Sequence, residues 1–402
     1  MNNETLLAEA KAMQERIRED RHYLHSHPET GFDLEETFGY VWKALEDMGL
    51  APERCGKQGI TALMGQGEKV VMLRADMDAL PIREDTGLPF ASDSGRMHAC
   101  GHDMHTAMLL GAARLLKARE KELPGRVKLM FQPAEEVFQG AADMMADGLL
   151  ENPRPDAAFM IHVMTGLPIP VGTVIVSAPG ISAPAANMFE IRIQGKGCHG
   201  AMPHTGVDPV NVAAHTVLAL QAINSRELSP SDNAALTIGM LQAGDTANVI
   251  PDRAVLRGSL RAMDDESHAL IRQRLKEITE LTAQTFRATA ELEFTSGAPT
   301  LLNDKALSDL AVRSLRELLG PDKALLSSQL GGSASKSSGS EDFANVSHTV
   351  PSLMMALAAG TPDTGCSYPA HHPKTCFDED ALPVGAAVYA RVALAYLEES
   401  RA

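Results

Sequence analysis

The sequence predicts an α/β fold with a mostly parallel sheet, interrupted by an inserted α+β lid. Three observations carry this expectation. Over roughly the first 180 residues, short apolar runs alternate with longer amphipathic ones, the pattern of strands and helices in a sheet covered on both faces. Near residue 184 the pattern changes to half-exposed strands in the order β-α-β-β-α-β, which is that of a ferredoxin-like domain. Strand and helix signals of the first kind then return. A chain of 402 residues favours two domains, and the expected division is 1–184 with 298–402, and 185–297 as the lid.

The elements follow in order. "KVVMLRADMDALP" (69–81), "RVKLMFQPAEE" (126–136) and "AAFMIHV" (157–163) read as buried strands, since each is a short apolar run. "HTAMLLGAARLLKAREKEL" (105–123) has the longer amphipathic period of a helix. In the lid, "NMFEIRIQGKG" alternates apolar and polar residues, and a helix follows at about 208–225. Strands "AALTIGMLQAG" and "RAVLRGSLRAM", a helix at about 265–287 and the strand "TAELEFT" complete it. "VPSLMMALA" (350–358) is the last strand, and a final helix begins near 380. The stretch "GGSASKSSGS" (331–340) reads as a flexible loop, without the Gly-Lys-Ser/Thr order of a phosphate-binding loop. No repeat of solenoid period is present.

Composition excludes several partners. A formal net charge of −16 disfavours nucleic acid and anionic membranes, which attract Lys and Arg. The N-terminal stretch lacks the apolar core of a signal peptide. No apolar run approaches the roughly 18 residues expected of a membrane span. Five cysteines (55, 100, 198, 366, 376) are odd in number and show no pairing pattern. This favours a reduced, cytoplasmic setting, with Cys100 a thiolate rather than half of a disulfide.

"MHACGHDMHTA" (97–107) then stands out for its density of histidine, cysteine and aspartate. Open α/β sheets place their sites at the carboxyl ends of strands, and here every such end carries donors. Asp76 and Asp78 end the first strand, Glu135 and Glu136 the second, His162 the third, and His371 and His372 follow the last. Cys100 and His102, two apart, would point the same way on extended chain. Each signal alone has a bland reading as a surface pair, a structural histidine or a buried thiol. Their convergence on one sheet end does not, because thiolate, imidazole and carboxylate together are transition-metal ligands.

The stretches "LHSHPETGF", "RADMDALPI", "MHACGHDMHTA", "FQPAEE", "GCHGAMPHTGVDP", "TANVIPD", "GSEDF" and "HHPK" span residues 24 to 374 in order. With them the chain resembles the amidohydrolase branch of the aminoacylase/carboxypeptidase-type metallopeptidase superfamily, which includes hippurate and auxin-conjugate hydrolases. The resemblance implies a metallopeptidase-like catalytic domain with an inserted lid. It also implies two divalent ions per subunit (zinc, manganese, cobalt or nickel) held by Cys100, His102, Glu136, His162 and His371. By the same resemblance Glu135 is the general base and Asp78 orients a ligand histidine. Asp76 stands where the wider superfamily has a metal-binding histidine, and its role stays open. His98, His105 and His372 read as structural or supporting. In the lid, the resemblance gives His199 to the oxyanion and Asn248 and Arg261 to a substrate carboxylate. It also leaves room for a homo-oligomer built through the lid, with His199 acting in its own or a partner subunit's site. The implied reaction is hydrolysis of an N-acyl amino acid, hippurate-like compounds leading. A dipeptidase, an N-acetyl-amino-acid deacetylase and a non-catalytic binding relative are the alternatives. Cys198, beside His199, is a weak case for a thiol hydrolase, since adjacency alone makes no nucleophile–base pair.

Overall fold

The computed structural model describes residues 3–330 and 339–399. All but the last two residues of the expected loop at 331–340 therefore lie outside the described residues. The described chain forms two compact units, one of residues 3–182, 302–330 and 342–399 and the other of residues 183–301 and 339–341.

The first unit is built on an eight-stranded sheet. Its order is Pro52–Cys55, Gly59–Gly65, Arg126–Gln132, Val70–Asp76, Ala157–Met164, Ser352–Ala358, Val174–Val176, Ala324–Leu326. The central four are parallel to one another, and Val70–Asp76 is buried along its whole length, as an apolar run covered on both faces must be. Helices His102–Lys117 and Ala381–Glu398 pack closely together; a Cβ at Gly111 would stand 2.9 Å from that of Ala386. Contrary to expectation, Ala381–Glu398 is long and apolar enough by length and composition to cross a membrane. Of that stretch, 78% is buried inside the protein, so its apolar face packs into the core with Leu357 and Leu115.

Several elements stop or start away from their expected bounds. The first strand ends at Asp76 rather than near 81, and the second at Gln132 rather than 136. Past Gln132, Pro133 offers no N–H, and Ala134 is left-handed at φ +54, so the extended ladder cannot continue. The helix expected from 105 begins at His102, because the left-handed Gly101 turns the chain into it.

A gap inside the sheet matters most. Strands Val70–Asp76 and Ala157–Met164 pair only as far as Arg74 opposite Met160. Beyond that point the Tyr389 hydroxyl, from the last helix, donates to the Arg74 carbonyl at 2.6 Å and accepts the Ile161 N–H at 3.0 Å. A side chain thus supplies the bonds that the parted strands no longer give each other.

The second unit is a four-stranded antiparallel sheet, ordered Ala234–Ala243, Arg253–Ala262, Ala185–Gln194, Thr289–Ala298. Helices Pro209–Ala222 and Asp265–Thr285 cover one face, giving the expected β-α-β-β-α-β order. Asp208 and Asp264 cap them, each accepting backbone N–H bonds of the first turn. Ile191, Ile193, Leu256 and Leu260 meet Val212, Leu220, Ile271 and Leu275 in a separate core.

Replacing Tyr389 with Phe should lower stability by about 1–3 kcal/mol, the cost of leaving buried backbone groups unpaired. The thermal unfolding midpoint reads this directly. An unchanged midpoint would show that the hydroxyl does not bridge the parted strands.

Candidate metal centre

His105 fills the gap between the parted strands. Its Nδ1 donates to Asp76 Oδ1 at 2.6 Å, and its Nε2 accepts the Val163 N–H at 2.8 Å. That fixes one neutral tautomer, and burial pushes the ring's pKa down to about 4 against the pull of Asp76. Asp76 Oδ2 accepts from Arg74 Nη1 at 2.7 Å. Burial would raise the Asp76 carboxyl, but Arg74, His102 and His105 outweigh it and hold it well below the usual range. Asp76 therefore has a place: it is the buried anion against which the neighbouring imidazoles are arranged.

Cys100 and His102 do not lie on extended chain. Gly101 between them takes φ +88, and a Cβ there would meet Val163 Cγ2 at 2.4 Å, so only glycine makes this turn. The turn sets Cys100 Sγ 3.5 Å from His162 Nε2 and 3.3 Å from His371 Nε2. His102 Nε2 lies 3.9 Å from Glu135 Oε2 and 3.9 Å from Glu136 Oε1, and His371 Nε2 lies 3.5 Å from Glu136 Oε1. One donor atom from each of Cys100, His102 and His162 falls within 4.8 Å of the others, and the same holds for Cys100, Glu136 and His371. The two triads share the Cys100 sulfur.

Asp78 joins these parts. Its carbonyl accepts from His102 Nδ1 at 2.8 Å, with its carboxylate 3.5 Å from the same nitrogen. Its Oδ1 accepts the Glu135 N–H at 3.0 Å and its Oδ2 the Glu136 N–H at 3.1 Å. One residue therefore orients the histidine through its main chain and the glutamate pair through its side chain. Burial pushes its carboxyl up, against the pull of His102. His371 arrives on strained backbone, φ +65, with its N–H bonded to the Ala99 carbonyl at 2.9 Å.

The charges inside the cluster compensate one another. Burial and Glu136 would raise the Cys100 thiol, but His162 and His102 bring it down to about 6. Burial would lower His162, yet the Cys100 sulfur raises it to about 9. The hydrogen bond to Cys100 and the Glu136 carboxylate nearby raise His371 to about 10. These opposite shifts favour a thiolate beside imidazolium rings.

Sequence reasoning passed over the buried supports. Arg74 Nε also donates to Gln132 Oε1 at 2.9 Å, and Asp342 accepts from Gln132 Nε2 and, at 3.0 Å, from the Ala141 N–H. Behind Cys100 and His102, Asp103 Oδ2 takes Arg21 Nε at 3.0 Å and His25 Nδ1 at 2.9 Å, and His25 Nε2 meets Glu84 at 3.0 Å. The available signal was a lone arginine inside the apolar run "VVMLRAD", since a buried charge requires a partner. His98 is buried, and its ring nitrogens have no hydrogen bond among the described residues. His372 stacks on Tyr368 at 4.3 Å.

The three lid residues are described within their own unit. His199 pairs with Val249 across a short antiparallel ladder, and the Asn248 carbonyl accepts the Gly200 N–H at 2.8 Å. His199 Nδ1 accepts the Ala201 N–H at 3.0 Å. Arg261 lies elsewhere in the unit, opposite Ala186 and Ala235, with Nη1 donating to Ser340 Oγ at 2.7 Å.

The cluster in the first unit suits divalent ions. Thiolate, imidazole and carboxylate converge there. His102 Nε2 and Glu136 Oε1 are buried without hydrogen-bond partners among the described residues, which is costly unless something else occupies that space. Residues 72–395 match peptidase family M20/M25/M40. The chain belongs to that family. It is 38% identical over 370 residues to the N-acetyl-L-cysteine deacetylase of Bacillus subtilis, covering 90% of this chain and 83% of that protein. It is 36% identical over 386 residues to IAA-amino acid hydrolase ILR1-like 2 of Arabidopsis thaliana, covering 94% and 84%. A solved Bacillus subtilis structure, described as a dinuclear metal-binding peptidase of the M20 family, superposes with a TM-score of 0.76 at 32% identity, covering 96% and 99%. As an M20 protein, the chain is a metal-dependent hydrolase of amide bonds.

If His162 and His371 take up metal, binding should release protons, because their surroundings raise them to about 9 and about 10 and an imidazole ligates only when neutral. Affinity should accordingly rise with pH toward those values and fall as pH drops. Calorimetry of metal binding in buffers of different ionisation enthalpy measures the protons released. A binding enthalpy independent of buffer would refute the thiolate–imidazolium description.

Proposed function

We propose that the protein hydrolyses N-acyl amino acids, hippurate-like compounds first among them, to a carboxylic acid and a free amino acid. The observation that carries this reading is the carboxylate pair Glu135–Glu136, held by one Asp78 carboxylate beside the buried imidazole of His102. Cys100, His102, Glu136, His162 and His371 hold two divalent ions in this reading, drawn from zinc, manganese, cobalt and nickel. Bound there, the ions would acidify a water and polarise the scissile carbonyl.

The protein's own groups do the rest. Glu135 takes the proton of the attacking water and passes it to the departing amine. Asp78 fixes both glutamates through their backbone, so the base and its metal-binding neighbour keep one spacing. His199 donates to the developing oxyanion. Arg261, with Asn248, holds the α-carboxylate of the amino acid, for which a planar guanidinium is suited. A second reading, removal of an acetyl group from compounds like N-acetylcysteine, draws on the likeness to the Bacillus subtilis deacetylase. Amine release from a panel of benzoyl, acetyl and indoleacetyl amino acids, run with each metal, separates the two.

Glu135→Gln should keep metal content near wild type while turnover falls by about 10²–10⁴, the range for a lost general base. Metal analysis beside steady-state kinetics checks both halves, and a fully active variant would remove Glu135 from its role.

Arg261→Ala should weaken substrates with a free α-carboxylate by about ten- to a hundredfold in kcat/KM, the worth of one charge-assisted pair, and leave their amides little affected. His199→Ala should instead slow acid and amide alike. Equal losses on both substrates in Arg261→Ala would sink the carboxylate clamp.

A further inference from the structure

The cysteines that show no pairing pattern in the sequence include one close pair. Cys376 Sγ donates to Cys366 Sγ at 2.6 Å, and both are free thiols. They bracket the eleven-residue segment "CSYPAHHPKTC", which has His371 at its middle. That segment is pinned at its ends and centre. The Cys366 N–H bonds to the Thr361 carbonyl at 3.0 Å, the Thr165 hydroxyl to the Cys376 carbonyl at 2.8 Å, and the His371 N–H to the Ala99 carbonyl at 2.9 Å. Within it, Thr375 closes back on His372 and Pro369. The approach of the two sulfurs is therefore set by a folded loop.

We infer that Cys366 and Cys376 form a reversible dithiol–disulfide pair, a redox modification site that closes the loop carrying His371. Cys376 is partly exposed and Cys366 buried, so a small oxidant is required, and a hydroperoxide fits. The Cys366 thiol, which the hydrogen bond from Cys376 brings down to about 7 against burial, loses its proton to solvent. Its sulfur attacks one peroxide oxygen, the O–O bond breaks, and the leaving oxygen takes up a proton. Cys366 is then a sulfenic acid. The Cys376 sulfur attacks it, the S–O bond breaks, and hydroxide leaves as water with the Cys376 proton. Two thiols lose two electrons to one hydroperoxide, and a dithiol reductant reverses the change.

The other cysteines are placed differently. Cys55 is buried, bonds to the Met144 carbonyl, and has its thiol pushed up to about 11 by burial. Cys100 sits within the candidate metal centre, and Cys198 in the second unit, with no second thiol bonded to either among the described residues.

The test uses the metal-loaded full chain, treated with hydrogen peroxide. Remaining thiols are blocked with N-ethylmaleimide, then the protein is reduced, labelled with iodoacetamide and mapped by peptide mass. Cys366 and Cys376 should carry the second label together and in equal yield, and dithiothreitol should return two thiols. In Cys376→Ser, Cys366 should instead accumulate as a sulfenic acid trapped by dimedone. Unequal yields, or both thiols still blocked by maleimide after peroxide, would overturn the pair; this needs no variant to fold. The consequence for the loop rests on His371 acting as proposed: the oxidised protein should lose metal to a chelator severalfold more slowly than the reduced one. Equal rates would overturn the loop-closing role. Peroxide labelling of Cys100 in loaded protein would count against its metal role and leave the pair standing.

Discussion

Everything at the centre depends on two parallel strands that stop pairing. Val70–Asp76 and Ala157–Met164 separate after Arg74 and Met160, which would strand backbone donors and acceptors in a dry interior. Tyr389 satisfies the first of them and His105 the next. The substitution does more than restore bonds. A ladder bond is the same everywhere, whereas an imidazole in the gap carries a second nitrogen, which reaches Asp76. Parting the strands therefore makes room for His105 and seats the cluster's central anion in one step.

A buried anion of this kind persists only if its surroundings answer it. Arg74 does so from the same strand, two residues back, and is itself steadied by Gln132 and Asp342. Next to His102 in the chain the same solution recurs, with Asp103 answered by Arg21 and His25. Two buried guanidinium–carboxylate pairs thus adjoin the cluster, Arg74–Asp76 and Arg21–Asp103. Inside it, the Cys100 sulfur raises His162, and Cys100 with Glu136 raises His371, so the anionic donors face rings that favour their protonated form.

What the sequence revealed follows the range of its signals. Strand runs such as "AAFMIHV" and the β-α-β-β-α-β order were legible, because burial imposes a period on neighbouring side chains. That Asp76, Asp78, Glu135, Glu136 and His162 gather at one sheet end was also legible, since parallel strands point their carboxyl ends the same way. Features resting on a single backbone angle were not. The Gly101 turn moved the helix start and ended the extended reading of Cys100 and His102. Asp78 orients His102 with a carbonyl, a group every residue has and no motif records. The approach of Cys366 to Cys376 depends on how an intervening loop folds, which ten positions of sequence separation leave open.

Backbone strain shows where the fold gives precision precedence over comfort. Ala134 and His371 both take left-handed angles, at a cost of roughly 1–2 kcal/mol for a residue with a side chain. Each lies where a donor must be delivered: Ala134 directly before the glutamate pair, His371 at the donor itself. Neither angle would survive in a free loop, and each has a specific restraint. The Asp78 carboxylate grips both N–H groups that follow Ala134, and the Ala99 carbonyl grips that of His371. These restraints come from the segments adjoining Asp76 and Cys100. The chain around the cluster therefore fixes, by its own hydrogen bonds, the turns that carry Glu135, Glu136 and His371.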